Sequence, residues 1–167
     1  MRYSFILSAV AAMSCGISSA AAKSSDEDCA ANMVCASNPK SIIDAMQQAG
    51  YRAELTTDGV GDPQIYSSAS GYKYSVMFYD CTDHKACKSL QFQASFDVVA
   101  GVDGDYVNKW NEQKRFVRAA LEDGDTFYLR YDLSTTGGLN QKNFADVLDW
   151  WELLLGDYSK FASENLP

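Results

Sequence analysis

The sequence is poor in histidine and in basic residues, and each shortage excludes a class of function. His84 is the one histidine in 167 residues, so no metal site can be built from several histidines. Lys and Arg number 14 against 22 Asp and Glu, which gives a formal net charge of −8. Because phosphate backbones and anionic lipid surfaces are bound through Lys and Arg, neither nucleic acid nor an anionic membrane is an expected partner.

Motifs that carry chemistry are also missing. No serine lies in a Gly-x-Ser-x-Gly elbow, and there is no phosphate-binding glycine loop. Val102-Asp103-Gly104-Asp105 resembles part of a calcium loop but lacks the spaced ligands and terminal glutamate of an EF-hand. His84 has no partners that converge on it in sequence, so we interpret it as a solvated loop residue. The sequence therefore predicts no catalytic residue, no metal ligand and no cofactor.

Residues 1–22 have the pattern of a secretory signal peptide. Arg2 is followed by an apolar run over residues 5–13 and by small residues over 18–22, so cleavage is expected after Ala20 or Ala22. The run is too short to span a bilayer, which disfavours an uncleaved anchor and stable membrane insertion after cleavage. A lipid-modified Cys15 is a third alternative, although the residues before it fit such a site poorly. The pattern predicts a periplasmic or secreted protein, whose net charge becomes −9 once Arg2 is removed.

Cysteine usage agrees with export. Four cysteines follow the signal peptide, namely Cys29, Cys35, Cys81 and Cys87, and an even count in this context predicts disulfides in one of three pairings. Pairing Cys29 with Cys35 and Cys81 with Cys87 closes the shortest loops, each contributing roughly 2 kcal/mol by loop entropy. A four-cysteine zinc site is the alternative, but five intervening residues in each pair match its usual spacing of two to four poorly. A redox-active Cys81–Cys87 pair would lack the Cys-x-x-Cys helix start that activates a thiol, so we predict structural bridges.

The stretch from Gly71 to Phe96 predicts a β-hairpin. Apolar and polar residues alternate over residues 72–79 and again over 89–96, which is typical of half-buried strands. The polar residues between these two runs are bracketed by Cys81 and Cys87. We therefore expect two antiparallel strands whose tip is closed by a disulfide.

The other elements follow from the same patterns. Helices are predicted after Asn38, after Asp103 and after Asn140, each of which can cap a helix N-terminus. Strands are predicted at residues 51–56, 64–68, 116–122 and 126–133, with a turn at Asp123-Gly124-Asp125. The order α-β-β-β-β-α-β-β-α predicts an α+β two-layer sandwich, with a largely antiparallel sheet and helices on one face. One domain should cover residues 38–167 after an irregular segment over 23–37.

Four residues form a candidate interaction surface. Trp150 and Leu153 fall outside the apolar stripe of the last helix, where large side chains often mark an interface unless a loop covers them. Tyr128 and Arg130 point to the face of their strand opposite Phe127 and Leu129. The sequence does not show whether the four lie together.

The segment from Trp110 to Phe116 carries a second candidate. Trp110 and Phe116 are expected in the core, whereas Asn111 and Arg115 lie four residues apart on one helical side. They could bind a partner's carboxylate or backbone, or they could bind the start of the next strand, and we favour the second interpretation.

Several short motifs, in their order along the chain, resemble the YbjN-domain family of bacterial proteins over roughly Asn38 to Phe161. They are Gly50–Leu55, Gly61–Ile65, Phe78–Cys81 with Cys87–Phe92, Trp110-Asn111 with Arg115-Phe116, and Gly137-Gly138-Leu139. The resemblance implies a fold like that of type III secretion chaperones and a role in sensory transduction. It implies no catalytic residue and no cofactor. The signal peptide and the Cys29/Cys35 pair distinguish this chain from cytoplasmic members.

Two functions remain as hypotheses. The first is a non-enzymatic, exported module that binds a protein or peptide, with a homodimer as one form of it. Its basis is a sheet with one covered face, a tyrosine-bearing opposite face and aromatic residues spare on the last helix. The second is a small periplasmic hydrolase or ligand-binding protein that uses loop carboxylates. A pocket lined by carboxyl groups with shifted pKa values would favour the second.

Overall fold

A six-stranded antiparallel sheet organises the computed structural model, which describes residues 29–167. The elements are β1 (Met33–Val34), α1 (Pro39–Gln48), β2 (Glu54–Thr57), β3 (Pro63–Ala69), β4 (Tyr72–Tyr79), β5 (Ser89–Asp97), α2 (Gly104–Gln113), β6 (Arg118–Glu122), β7 (Thr126–Ser134), β8 (Leu139–Asn140) and α3 (Gln141–Asn165). The sheet order is β2-β3-β4-β5-β7-β6, and β1 pairs separately with β8. The predicted signal peptide and Cys15 lie outside the described residues.

The central hairpin follows its alternating sequence. Val76 pairs with Phe92 and Phe78 with Leu90, and all four side chains are buried on one face of the sheet. Burying side chains of this size contributes about 1.5–3 kcal/mol each relative to exposure. Since register in a sheet is fixed by which face is buried, this pairing also fixes the polar face opposite.

Helix α3 covers the apolar face of the sheet. Its 25 residues rise about 1.5 Å each, so the helix is long enough to cross six strands spaced about 4.8 Å apart. Phe144 packs against Phe92, Trp151 lies edge-on to Tyr74 at 5.5 Å between ring centroids, and Tyr158 stacks on Phe127 at 5.3 Å. Buried residues of α1 and α2 join the same core. The predicted α+β sandwich with helices on one face is confirmed.

The structure differs from the predictions in several places, and strand β6 begins at Arg118 rather than at Phe116. A two-residue ladder, β1 with β8, lies partly in the segment predicted to be irregular; it is too short to produce a periodic sequence. Strand β2 begins at Glu54 rather than Tyr51, because the Tyr51 amide still bonds the Met46 carbonyl at the end of α1 (2.9 Å). The expectation that Phe116 is a core residue was wrong, since it is 45% exposed. Among residues 29–167, no helix combines the length and apolarity needed to cross a membrane.

Candidate functional site

The four cysteines form two local disulfides. Cys29 is bonded to Cys35, and Cys81 is bonded to Cys87 at the tip of the β4–β5 hairpin. In the part of the chain that the structure describes, no three His, Cys, Asp or Glu side chains are placed to hold a metal ion.

His84 connects two loops. Its Nδ1 lies 2.8 Å from Asp62 Oδ1, although the side chain is 60% exposed. Asp62 belongs to the β2–β3 turn, which is ordered by Asp58 Oδ1 accepting hydrogen bonds from the amides of Val60, Gly61 and Asp62. The pair therefore attaches the disulfide-closed tip to the turn that follows β2, a contact between distant segments that the sequence did not indicate.

The four candidate interaction residues lie on two different layers. Tyr128 and Arg130 are on the face of the sheet that no helix of the described residues covers. Trp150 and Leu153 are on α3, in the helical layer. Trp150 is half-buried against Phe116, with ring centroids 5.0 Å apart, whereas Leu153 is 54% exposed. The structure therefore does not bring the four together into one surface.

The uncovered face of the sheet is polar and internally bonded. Arg130 donates to both carboxylate oxygens of Glu122 and, through Nε, to Gln93 Oε1 at 2.7 Å. Gln91 and Arg118 both donate to Asp132, at 2.5 and 3.1 Å. Hydrogen bonds from Arg130 lower the pKa of Glu122, which holds this carboxylate ionised. The groups satisfy one another, as expected for a stabilising network rather than for a general acid awaiting a substrate.

One edge of the sheet is closed by side chains of α2. Asn111 Nδ2 donates to the Ala119 carbonyl at 3.1 Å, and Asn111 Oδ1 accepts from the Ala119 amide at 2.7 Å. Trp110 Nε1 donates to the Val117 carbonyl at 2.9 Å from a fully buried ring. A side-chain amide thus occupies the position of a further strand on β6. The interpretation that Asn111 binds the start of the next strand is confirmed, whereas the Arg115 guanidinium lies over the Phe116 ring.

At the other edge of the sheet, the turn between β3 and β4 determines which backbone groups of β3 face β2. Ser70 and Gly71 form a two-residue turn with φ of +50° and +84°. In such hairpins the flanking pair, here Ala69 and Tyr72, exchanges hydrogen bonds across the two strands. Every second residue of β3 therefore bonds β4, and the residues between them, including Tyr66, direct their backbone groups towards β2.

Because β2 pairs with β3, its residues also alternate between bonding β3 and facing away from the sheet, so its outer side is an open edge. Glu54 and Thr56 pair with the residues of β3 that face them, Tyr66 and Gln64. Leu55 and Thr57 therefore direct their N–H and C=O groups away from the sheet. Among the described residues, no hydrogen bond reaches the outer side of β2. The Leu55 side chain is 52% exposed there. We call the outer side of β2 the open edge, and the Asn111-bound outer side of β6 the closed edge.

A cleft of about 760 Å³ lies beside the start of β2. It is lined by Gln47, Arg52, Ala53, Glu54, Tyr66, Ser67, Ser68, Lys73 and Tyr74. The chain diverges from β3 here, because regular pairing ends at Glu54 and the Ser67 hydroxyl instead donates to the Arg52 carbonyl at 2.6 Å. Within residues 29–167, neither Arg52 nor Lys73 forms an ion pair.

Tyr74 forms part of the wall of this cleft, and its hydroxyl is unusual. The side chain is 3% exposed, and the hydroxyl has no hydrogen-bond partner among the described residues. Burial raises the pKa of Tyr74 to about 12, and the nearby Ser67 hydroxyl opposes this shift. Because Ser67 gives its hydrogen to the Arg52 carbonyl, it could act towards the phenol only as an acceptor. Burial, and then the bond to Glu152 at 2.5 Å, raise the pKa of the neighbouring Tyr51 phenol.

The fold and its two edges define a small α+β module. Residues 38–162 match the YbjN family, described as "Putative bacterial sensory transduction regulator". The chain belongs to this family, as the sequence motifs predicted. A solved structure of similar fold is that of YbjN from E. coli, titled "a putative transcription regulator". Its TM-score is 0.55 at 10% identity, and the match covers 76% of this chain and 94% of that one. No curated protein matches the sequence.

Proposed function

We propose that this YbjN module is exported, is not an enzyme, and binds an extended segment of another protein that adds as a strand to the open edge. The observation that carries the proposal is the difference between the two edges. Proteins block edge strands because unpaired N–H and C=O groups recruit other chains. Here α2 blocks β6, whereas β2 keeps outward backbone groups without a described partner.

Strand addition suits the chemistry of this edge. Main-chain hydrogen bonds supply affinity in this mode, and pockets for alternate side chains supply specificity. The outward N–H and C=O groups of Leu55 and Thr57 can form these main-chain hydrogen bonds. Exposed apolar side chains nearby can contact the side chains of the segment and so contribute specificity. They are Leu55, Val60 and Tyr66, which are 52%, 72% and 53% exposed.

Export is supported by the leader-like residues 1–22 and by the disulfides. Local bridges such as Cys29–Cys35 and Cys81–Cys87 persist in oxidising compartments and are rare in a reducing cytosol. The absence of enzymatic activity is supported by the family description and by the paired state of Glu122 and Asp132 on the uncovered face.

Site-specific photo-crosslinking tests the proposal directly. A photoreactive amino acid is placed at Leu55, on the open edge, or at Leu153, on the outer side of α3. The two side chains are matched in exposure, at 52% and 54%. Irradiation in the native compartment should give a discrete crosslinked species from position 55 and none from position 153.

The identity of the crosslinked species decides between outcomes. Mass spectrometry should locate the crosslink in a short extended segment of a different protein. A crosslink to a second copy of this chain would replace the proposal with edge-to-edge homodimerisation. Equal crosslinking from both positions would show that the open edge has no special role and would overturn it.

A further inference from the structure

We infer that the cleft beside β2 binds the carboxylate of an aspartate or glutamate in the segment that pairs with the open edge. This inference rests on the proposed function, because it names the side chain that the site selects. The first observation is charge. In a chain with a net charge of −8, the cleft holds two cations, Arg52 and Lys73, against one acid, Glu54.

Both cations are available to a ligand. In the described part of the chain neither is in an ion pair, whereas Arg118 and Arg130 on the same sheet are bonded to Asp132 and Glu122. A guanidinium can hold a carboxylate through two parallel N–H···O bonds, and an ammonium adds a point charge beside it. A lysine or arginine in the incoming segment would instead meet two like charges.

The position of the cleft agrees with the reach of a side chain. Ser68 and Lys73 are paired across β3 and β4, so their side chains point to the same uncovered face, as do those of Glu54 and Tyr66. A segment paired with β2 lies about 4.8 Å beyond it and presents alternate side chains to that face. A glutamate on that face can extend past Glu54 towards Arg52, the Ser68 hydroxyl and the Tyr66 phenol, whereas Lys73, on β4 about 14 Å from the segment, acts mainly through its charge.

A synthetic host peptide provides the test. Nine-residue peptides of alternating Thr and Val, acetylated and amidated, carry Glu, Gln or Lys at one guest position that is moved along the chain. Binding to the mature protein is measured by fluorescence anisotropy, and hydrogen exchange of the β2 amides reports where the peptide lies. At one guest position Glu should bind about tenfold more tightly than Gln, the effect of about one charge-assisted hydrogen bond. Lys should bind more weakly than both.

The matched control uses cations outside the cleft. Arg52→Gln with Lys73→Gln should remove the preference for Glu, while Lys109→Gln with Lys142→Gln, which changes the net charge equally at exposed positions, should retain it. Equal binding of Glu and Gln peptides that both protect β2 would overturn this inference and leave strand addition intact. Failure of every peptide to protect β2 would overturn both. Tighter binding of a peptide with a free C-terminal carboxylate than of any internal Glu peptide would show that the cleft takes a chain end instead.

Discussion

The two edge strands of the sheet, β2 and β6, differ in whether their outward backbone N–H and C=O groups have hydrogen-bond partners. At the closed edge, a buried tryptophan and an asparagine of α2 bond the backbone of Val117 and Ala119, so the groups that a strand would use at the start of β6 are occupied. At the open edge, Leu55 and Thr57 direct the same kinds of group outward with no described partner. Among residues 29–167, α2 blocks the start of β6 and no element bonds the outer side of β2, which makes β2 the place to look for binding.

Near both edges some buried polar atoms have hydrogen-bond partners and others do not. Trp110 Nε1 at the closed edge has a carbonyl partner at 2.9 Å. The Tyr74 hydroxyl beneath the cleft has none among the described residues. The Tyr106 hydroxyl, on the helix that closes β6, also has none, so the cost of about 1–3 kcal/mol for an unsatisfied buried group applies near both edges.

The largest expected effect comes from dismantling the closed edge. Trp110→Ala should lower the free energy of unfolding by about 4 kcal/mol, because it leaves a cavity and frees the Val117 carbonyl. Leu153→Ala, which truncates an exposed residue, should change it by less than about 0.5 kcal/mol. Urea denaturation measures both. Equal losses in the two variants would contradict the role given to Trp110.

Removing the asparagine opens the closed edge with less damage to the core. Asn111→Ala should lower the free energy of unfolding by about 2 kcal/mol, since two hydrogen bonds to Ala119 are lost. The exposed β6 backbone should also make self-association depend on protein concentration, as measured by analytical ultracentrifugation. Asn108→Ala is the control: Asn108 lies in the same helix and is also exposed, but among the described residues it has no hydrogen bond to β6, so the variant should neither lose stability nor self-associate. A monomeric Asn111→Ala variant of full stability would mean that Asn111 does not protect this edge.

Closing the open edge should affect binding rather than stability. Leu55→Pro removes an outward N–H, a change that edge strands tolerate, and it should weaken partner binding about tenfold with little loss of stability. Leu55→Ala removes the side chain but keeps the N–H group, so it separates the backbone contribution from the apolar one. Unchanged binding by Leu55→Pro, measured by crosslinking or anisotropy, is the result that strand addition does not allow.

The smallest effect concerns the Tyr74 hydroxyl. Tyr74→Phe should raise the free energy of unfolding by about 1 kcal/mol at pH 7, because an unsatisfied hydroxyl is removed. The folded pKa of about 12 lies above the usual value of 10.0, so folding favours the neutral phenol. Below about pH 10 the phenol is neutral in both the folded and the unfolded chain, so its ionisation does not affect wild-type stability. Between about pH 10 and pH 12 the phenol ionises more readily in the unfolded chain, and the free energy of unfolding of the wild type falls. The advantage of Tyr74→Phe should therefore widen over that range, and a constant difference between pH 9 and pH 12 would contradict the assignment.

The sequence predicted the elements that depend on local periodicity. Alternation over residues 72–79 and 89–96 predicted the central hairpin, and the apolar stripe that includes Phe144 and Trp151 predicted α3. The role of Asn111 was also accessible, since its partner lies only eight residues away. These patterns are short in sequence, so no knowledge of the tertiary fold was needed.

The open edge and its cleft could not be predicted in the same way. Gln47, Arg52, Tyr66 and Lys73 meet only because α1, β2, β3 and β4 pack in a particular order, and no spacing in the sequence encodes that order. The expected core position of Phe116 failed for a related reason. The Trp110–Val117 bond turns the chain there, and Phe116 adopts a φ of +69° that leaves it outside.

Hydrogen exchange of the two edges, with and without the crosslinked partner segment supplied as a synthetic peptide, tests the central claim most directly. The account predicts that the outward-facing amides of Leu55 and Thr57 become protected when the segment binds, while those over residues 118–122 exchange at the same rate as in the free protein. Protection confined to residues 118–122, or to the outer side of α3, would contradict it.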